Sequence, residues 1–315
     1  MNVVLLESLG ISKEVLESYA SVLKGQGHSF KAYERDMDTA VLVERAKDAD
    51  VVMIANMPLK GEVISNCKNL KFIDVAFTGV DHVDLETAKS MGAAVSNASG
   101  YSNESVAELA MGMILSLLRN VPQVEKRCRD GKTKDGLVGR ELAGKTVGVV
   151  GTGAIGSRTA ELCNAFGCKI LAYDLYPKKN PPEYINYVSL EDLLSNSDII
   201  SLHCPLTDES RHLINQERIA LMKPTAILIN AARGPVVDSD ALAEALNSDK
   251  IAGAGIDVFE IEPPLNMDHP LLHSKNTIVT PHIAFASEES MKLRAKIVFE
   301  NIEKWMKNEQ VNTIL

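Results

Sequence analysis

Short apolar runs alternate along the whole chain with stretches in which apolar residues recur at helical spacing. Residues 3–6 and 51–54 are continuous apolar runs of strand length, and 72–75 is a third, broken only by Asp74. Between the first two, Val15, Leu16, Tyr19, Val22 and Leu23 repeat with the period of a helix. Strands alternating with helices predict a parallel sheet covered on both faces. The pattern breaks at Ala98-Ser99-Gly100, which is turn chemistry. A long helix is predicted over 103–120, with Ser102 or Asn103 as its cap and Pro122 limiting its extension. Residues 130–144 are polar and glycine-bearing and read as a loop. A second alternating series starts at Lys145, with strands at 146–150, 169–174, 199–203, 226–230, 253–257 and 277–280. That is about the strand count of a full dinucleotide-binding sheet. A last helix, 287–307, lies beyond the series and is free to pack back on the first half. The Met111 and Leu118 stripe of the long helix reads as ordinary helix burial.

The second series opens on a glycine turn. The apolar strand Val147-Gly148-Val149-Val150 runs into Gly151-Thr152-Gly153-Ala154-Ile155-Gly156, a helical stretch follows to Phe166, and the next strand ends in Asp174. Asp174 stands 18 residues after Gly156, close to the spacing of about 20 expected for a dinucleotide site. Gly151 permits the tight turn, Gly153 lets backbone approach the pyrophosphate, and Gly156 allows close packing of helix on strand. The unpaired N–H groups of the helix start, at Gly153, Ala154 and Ile155, face the phosphates. Asp174 accepts from the adenosine ribose hydroxyls and repels a 2′-phosphate, which favours NAD over NADP; Lys178 and Lys179 soften that preference.

Composition narrows the alternatives. At 315 residues the chain exceeds what one core usually covers, so two domains are expected. Apolar residues make up 45 % and charged residues 24 %, which is globular rather than disordered composition. The formal charge of −9, with no basic run, argues against a nucleic-acid partner. The longest apolar stretch, 109–118, is far shorter than the roughly 20 residues that span a bilayer, and no signal peptide is read at Met1. Cys67, Cys128, Cys163, Cys168 and Cys204 are odd in number and form no CxxC pair, so neither a disulfide framework nor a zinc site is expected, and a cytoplasmic setting fits.

Three later strands end in polar residues at the edge that faces the ligand crevice of an open parallel sheet. They lead to Arg233-Gly234, to Asp257-Val258-Phe259-Glu260-Ile261-Glu262, and to Pro281-His282. An arginine can grip a carboxylate with two hydrogen bonds and polarise a ketone. A histidine can protonate the developing alkoxide, and a carboxylate beside it favours the imidazolium form. By spacing, either Glu260 or Glu262 can be that carboxylate. His203 reads as packed at a strand end, His269 and His273 as solvated, and Cys204 as a packed thiol. Asp81, His82 and Asp84 lack a fourth ligand, so no metal is expected.

These segments resemble the D-isomer-specific 2-hydroxyacid dehydrogenases. The resemblance extends over nearly the whole chain: Phe77-Thr78-Gly79-Val80-Asp81-His82-Val83-Asp84, Ser105-Val106-Ala107-Glu108, Gly139-Arg140-Glu141-Leu142, the glycine turn, His203-Cys204-Pro205-Leu206-Thr207, Asn230-Ala231-Ala232-Arg233-Gly234, Asp257-Val258-Phe259-Glu260 and Thr280-Pro281-His282. It implies an α/β fold of two doubly wound parallel-sheet domains: a flavodoxin-like catalytic domain from both chain ends, 1–99 plus 287–315, and a Rossmann-like NAD-binding domain, 100–286. It implies NAD as cofactor, a small 2-oxo or 2-hydroxy acid as substrate, and a homodimer contacting through the cofactor domain. Arg233 would hold the substrate carboxylate and keto oxygen, and His282 would be the acid in reduction and the base in oxidation, paired with Glu262. Asp257 would contact the nicotinamide side, Pro205 would line the adenine pocket, and Ala231 and Val106 would border the cofactor. Backbone N–H groups at Thr78 and Gly79 would meet the substrate carboxylate. Phosphoglycerate dehydrogenases usually carry an Arg-Ser pair where this chain reads Ala55-Asn56-Met57-Pro58-Leu59, which argues against a phosphorylated substrate. Selectivity would then depend on where Asn56, Met57, Leu59 and Phe285 point. The same fold also serves as an NAD-sensing corepressor. Formate dehydrogenases usually have glutamine at the place of Glu262, so the carboxylate argues for a reaction that needs a proton.

Overall fold

The apolar runs become two all-parallel sheets in the computed structural model, which describes residues 1–261 and 264–315. The first half supplies β1 (Asn2–Leu5), α1 (Lys13–Gly25), β2 (Ser29–Ala32), α2 (Thr39–Ala46), β3 (Val51–Ile54), α3 (Gly61–Asn66), β4 (Phe72–Val75), α4 (Leu85–Ser90) and β5 (Ala94–Asn97). Their sheet has the order β2-β1-β3-β4-β5. Helices α1, α2 and α4 start at Ser12, Asp38 and Asp84, whose side chains accept from backbone N–H groups of the first turn.

The second series supplies α5 (Asn103–Leu118), α6 (Val121–Arg129), β6 (Thr146–Val150), α7 (Ala154–Ala165), β7 (Lys169–Tyr173), β8 (Ile185–Tyr187), α8 (Leu190–Asn196), β9 (Ile199–Leu202), α9 (Gln216–Ile219), β10 (Ile227–Asn230), α10 (Ser239–Asn247), β11 (Gly253–Ile256) and β12 (Thr277–Val279). The sheet order is β12-β11-β10-β9-β6-β7-β8. Chain direction across the sheet reverses between β6 and β9, which places the ligand crevice beyond their carboxyl ends. Alternate strand residues feed two cores. Val147, Val149, Ile227 and Ile229 pack with Met111, Met113 and Ile114 of α5, while Ile200, Leu202, Leu228 and Ile256 pack with Leu193 of α8 and Leu242 of α10.

The last helix, α11 (Glu288–Met306), belongs to the first half. Its Trp305 ring stacks on Phe72 at 4.7 Å and its Phe299 ring on Tyr19 at 4.6 Å. The chain forms two compact units, one of Met1–Ser102 with Ala286–Leu315 and another of Asn103–Phe285. The long helix ends at Leu118, where its apolar pattern stops and two residues before its expected end. Asn120 takes a left-handed φ of 51°, and Pro122 then sits in the first turn of α6. Pro122 therefore opens a new helix rather than merely limiting the old one, because its fixed φ and missing N–H suit a helix start. Strands β2, β5 and β8 are additions to the strands read from the sequence. β2 is an edge strand with a mostly exposed pattern, and β5 carries Ser96 and Asn97 in buried positions.

Candidate active site

The glycine turn follows β6 directly. Gly151 has a φ of 89°, and a Cβ there would stand 2.7 Å from the backbone N of Cys204. A side chain is thus excluded both by conformation and by the loop after β9. Gly156 packs its α carbon against the turn itself, since a Cβ would meet the Gly151 carbonyl oxygen at 1.9 Å. Gly153 instead faces open space and is the N-cap of α7. Gly153 and Ala154 are exposed and Ile155 is half-buried, so the unpaired N–H groups of the first turn look outward, as an anion site requires. Asp174 directly follows β7 beside the turn. Its Oδ2 accepts from the Thr152 N–H at 2.6 Å and from the Thr152 hydroxyl at 3.0 Å, and its Oδ1 accepts from the Tyr176 N–H at 2.9 Å. The carboxylate is therefore held in place next to the phosphate turn, and it is only half-buried. The Lys178 ammonium donates to the Ser157 hydroxyl at 2.7 Å. A cradle closed to Cβ atoms beneath, open above, and flanked by an oriented acid fits a dinucleotide. Beneath the turn, burial pushes the His203 imidazole down to about 4, so it is neutral; its Nε2 lies 2.8 Å from the Ser201 hydroxyl. Burial likewise pushes the Cys204 thiol up to about 11. Pro205 is exposed and Ala231 half-buried, while Val106 is 5 % exposed on the inner face of α5.

Arg233 and His282 follow β10 and β12, the two neighbours of β11. Two strand spacings separate those ends by about 10 Å. Asn230, 1 % exposed, shapes the first loop: its Nδ2 donates to the Arg233 carbonyl at 3.0 Å and its Oδ1 accepts from Ala232 N at 3.1 Å. The Arg233 Nη1 donates to the Ala232 carbonyl at 2.8 Å. Gly234 is required where the Phe259–Glu260 backbone crosses, because a Cβ would lie 1.9 Å from the Phe259 carbonyl carbon. His282 holds a φ of 55°, which a non-glycine residue adopts only when its surroundings enforce it. The enforcing group is Asp257. Its Oδ1 accepts from the Thr280 hydroxyl at 2.6 Å and Ile283 N at 2.8 Å, its Oδ2 accepts from Ala284 N at 2.9 Å, and its carbonyl accepts from His282 N at 2.7 Å. Fully buried, Asp257 works as the clamp of the histidine loop, with both side-chain oxygens engaged there. Neither Asn230 nor this use of Asp257 is visible in the sequence; the only signal is a polar residue ending or following an otherwise apolar strand. The His282 ring meets the Phe285 ring edge-on at 5.5 Å.

Glu262, the expected partner of His282, lies outside the described residues, as does Pro263. Glu260, the alternative by spacing, is engaged elsewhere: its Oε2 is 3.1 Å from His269 Nε2. Burial works against ionisation of Glu260, but hydrogen bonds from Ser239 and His269 outweigh it and hold the carboxyl below its usual range. His269 is accordingly not solvated; its side chain is 16 % exposed and its ring packs edge-on against Phe259.

In the first unit, Thr78 and Gly79 are half-buried in the loop after β4, where the Thr78 carbonyl accepts from Asn97 Nδ2 at 2.7 Å. Asp84 is the cap of α4, and His82 Nε2 lies 2.8 Å from the Ala55 carbonyl. Met57 and Leu59 are 0 % and 1 % exposed, so they are core residues and not selectivity contacts. Asn56 and Phe285 keep exposed surface.

Residues 111–284 match the model of the D-isomer specific 2-hydroxyacid dehydrogenase NAD binding domain. A hydroxypyruvate reductase of Blautia hydrogenotrophica is 39 % identical over 289 residues, covering 88 % of both chains. A D-3-phosphoglycerate dehydrogenase of Methanocaldococcus jannaschii is 42 % identical over 279 residues, 87 % of this chain and 53 % of that one, so the chain spans about half its length. The structure of D-lactate dehydrogenase from Aquifex aeolicus, complexed with NAD and lactic acid, superposes with a TM-score of 0.88 at 35 % identity over 98 % of this chain and 96 % of that one. With its glycine cradle, its two parallel sheets and these relatives, the chain belongs to the D-isomer-specific 2-hydroxyacid dehydrogenase family and is an NAD-dependent oxidoreductase.

Proposed function

We propose that this enzyme interconverts a small, unphosphorylated 2-oxo acid and its D-2-hydroxy acid, with His282 as the proton donor in reduction. The observation that carries the reading is the placement of Arg233 and His282 beyond two strands flanking β11, at the carboxyl edge that also bears the glycine turn. Gly151, Gly153, Ala154, Ile155 and Gly156 would hold the pyrophosphate and Asp174 the adenosine ribose. Pro205, Ala231 and Val106 are assigned to the cofactor on the family pattern, and the buried Asp257 is assigned to its nicotinamide side through the histidine loop it holds. Bound NADH supplies the hydride that the keto carbon receives.

Arg233 grips the substrate carboxylate through paired N–H donors and polarises the keto oxygen. His282 gives its proton to that oxygen as the carbonyl becomes an alcohol, and it takes the proton back in oxidation. Glu262 is assigned the partner role by the family pattern, since Glu260 is engaged with His269. Backbone N–H groups at Thr78 and Gly79 are assigned to the substrate carboxylate, and the Thr78 hydroxyl is a buried polar atom with no partner among the described residues. The unphosphorylated substrate is supported by Ala55-Asn56-Met57-Pro58-Leu59, which contains no arginine where phosphoglycerate dehydrogenases carry an Arg-Ser pair. No described helix is long and apolar enough to cross a membrane, and all five cysteines are free thiols, which suits a reducing, cytoplasmic compartment. A homodimer through the cofactor-binding unit is the matching assembly.

The decisive measurement is NADH oxidation against glyoxylate, pyruvate, hydroxypyruvate and bulkier 2-oxo acids, with NADPH alongside. His282→Asn is expected to bind NADH as the wild type does while kcat falls by about 10²–10⁴. Wild-type turnover by that variant would remove His282 from the acid role. Faster turnover with NADPH would overturn the assignment of Asp174. NADH binding with no turnover on any oxo acid would favour a sensing function instead.

A further inference from the structure

In the first sheet, order β2-β1-β3-β4-β5, the chain winds one way from β1 to β2 and the other way from β3 onward. Ligand crevices of such sheets lie beyond the carboxyl ends of the strands at that reversal, here β1 and β3. One side chain bridges the two. Glu7, two residues past β1 and 5 % exposed, places its Oε2 where it accepts from the N–H groups of Ala55 at 3.0 Å and Met57 at 2.9 Å, in the loop after β3. Its Oε1 lies 3.4 Å from Arg35 Nη1. On its other side the loop is fixed by His82, whose Nε2 stands 2.8 Å from the Ala55 carbonyl and whose own carbonyl accepts from Leu59 N at 2.9 Å.

The loop's burial follows from this double grip. Ala55, Met57 and Leu59 are 3 %, 0 % and 1 % exposed, while Asn56 and Pro58 between them keep exposed surface. A buried carboxylate that takes two backbone N–H groups flanking one residue dictates where that residue stands. We propose that Glu7 is a positioning residue for substrate recognition: it presents Asn56 at the crevice to the side chain of the 2-oxo acid. This rests on the oxo-acid reading above. Glu7 touches no reacting atom, so its effect belongs in substrate affinity and discrimination and not in hydride transfer.

The test compares Glu7→Asp, Glu7→Ala, Glu7→Gln and Asn56→Ala in the full chain. Steady-state kinetics with glyoxylate and hydroxypyruvate are combined with NADH affinity from fluorescence and with Tm. An aspartate is one methylene too short to hold both N–H groups, whereas one glutamine oxygen can accept both. Displacement of a substrate-positioning group by about 1 Å can cost up to a hundredfold. Glu7→Asp and Glu7→Ala are therefore expected to raise KM for hydroxypyruvate by about tenfold or more, with kcat held within about threefold. NADH affinity stays unchanged, and Glu7→Gln returns KM to near the wild-type value. Asn56→Ala reproduces the KM change with no loss of Tm. Should Glu7→Ala fail to fold, Glu7→Asp and Asn56→Ala carry the comparison. A folded Glu7→Asp with unchanged KM, or a silent Asn56→Ala, overturns the assignment while wild-type turnover leaves the oxo-acid reading standing. A wild type that turns over no oxo acid overturns both.

Discussion

His282 and Asp257 are 25 positions apart, yet one holds the other's loop through four hydrogen bonds involving Thr280, His282, Ile283 and Ala284. A left-handed φ at His282 costs about 1–3 kcal/mol and persists only where the surroundings over-determine it. A second buried carboxyl behaves differently. Asp74, in the middle of β4, is 0 % exposed, and among the described residues its carboxyl accepts one hydrogen bond, from Asn301 Nδ2 at 2.9 Å. Burial, only partly offset by that hydrogen bond, raises its pKa well above the usual carboxylate range. The folded chain therefore keeps a proton that the unfolded chain releases above a pH of about 4. By linkage, this site's contribution is fully present below that pH and is lost as pH rises through the folded-state value. Asp74→Asn keeps an acceptor for Asn301 and carries no charge. The variant is expected to lose less stability than the wild type between pH 5 and pH 8, read as Tm against pH. Parallel slopes for the two proteins would show that Asp74 does not titrate in this way.

Among the elements, most strands read from sequence lie inside a sheet and bury their apolar residues; β12, a half-buried edge strand, is the exception. β3 and β4 are buried at every position. The missed strands have other causes. β2 and β8 are short sheet-edge strands whose apolar residues are interrupted by polar ones, and β5 is completed by the chain terminus: Val95 N donates to the Leu315 carbonyl at 3.1 Å, and Ser96 pairs antiparallel with Thr313. No local pattern announces a strand whose outer edge is covered from more than 200 positions away. Helix α11 shows the reverse case, a clear amphipathic segment whose docking place was open. Its Phe299, 3 % exposed, stacks on Tyr19 with ring planes 8° apart and also meets Phe30 at 5.8 Å. Phe299→Ala is expected to destabilise the first unit by about 3–5 kcal/mol, from lost burial and the cavity left behind. Urea unfolding followed by Trp305 fluorescence checks this, since Trp305 lies on the same helix; an unchanged midpoint would mean that α11 is held by other contacts.

At the scale of the molecule, each unit has its own sheet, and in the second the core is divided between its two faces. Two calorimetric transitions are expected. NADH at a hundred times its Kd would add about 2.7 kcal/mol to the transition of residues 103–285, and Phe299→Ala would lower the other one. A single transition that responds to both as a whole would show that the units unfold together.

The sequence by itself determined the alternation of strand and helix, the glycine turn with its acid at the right distance, and the residue types that end the strands. Each depends on short-range terms: hydrophobic period, turn chemistry, and the steric demand that makes Gly151 a glycine. Arg233 and His282 were legible for the same reason, because they directly follow apolar strands. Only the tertiary structure decided what those ends do to one another. It turned Asp257 into the clamp of the histidine loop, committed Glu260 to His269, sent Met57 and Leu59 into the core, and joined Glu7 to a loop 48 positions away. Hydrogen bonds between strand ends depend on sheet order, and sheet order is set by packing across the whole chain rather than by any local stretch.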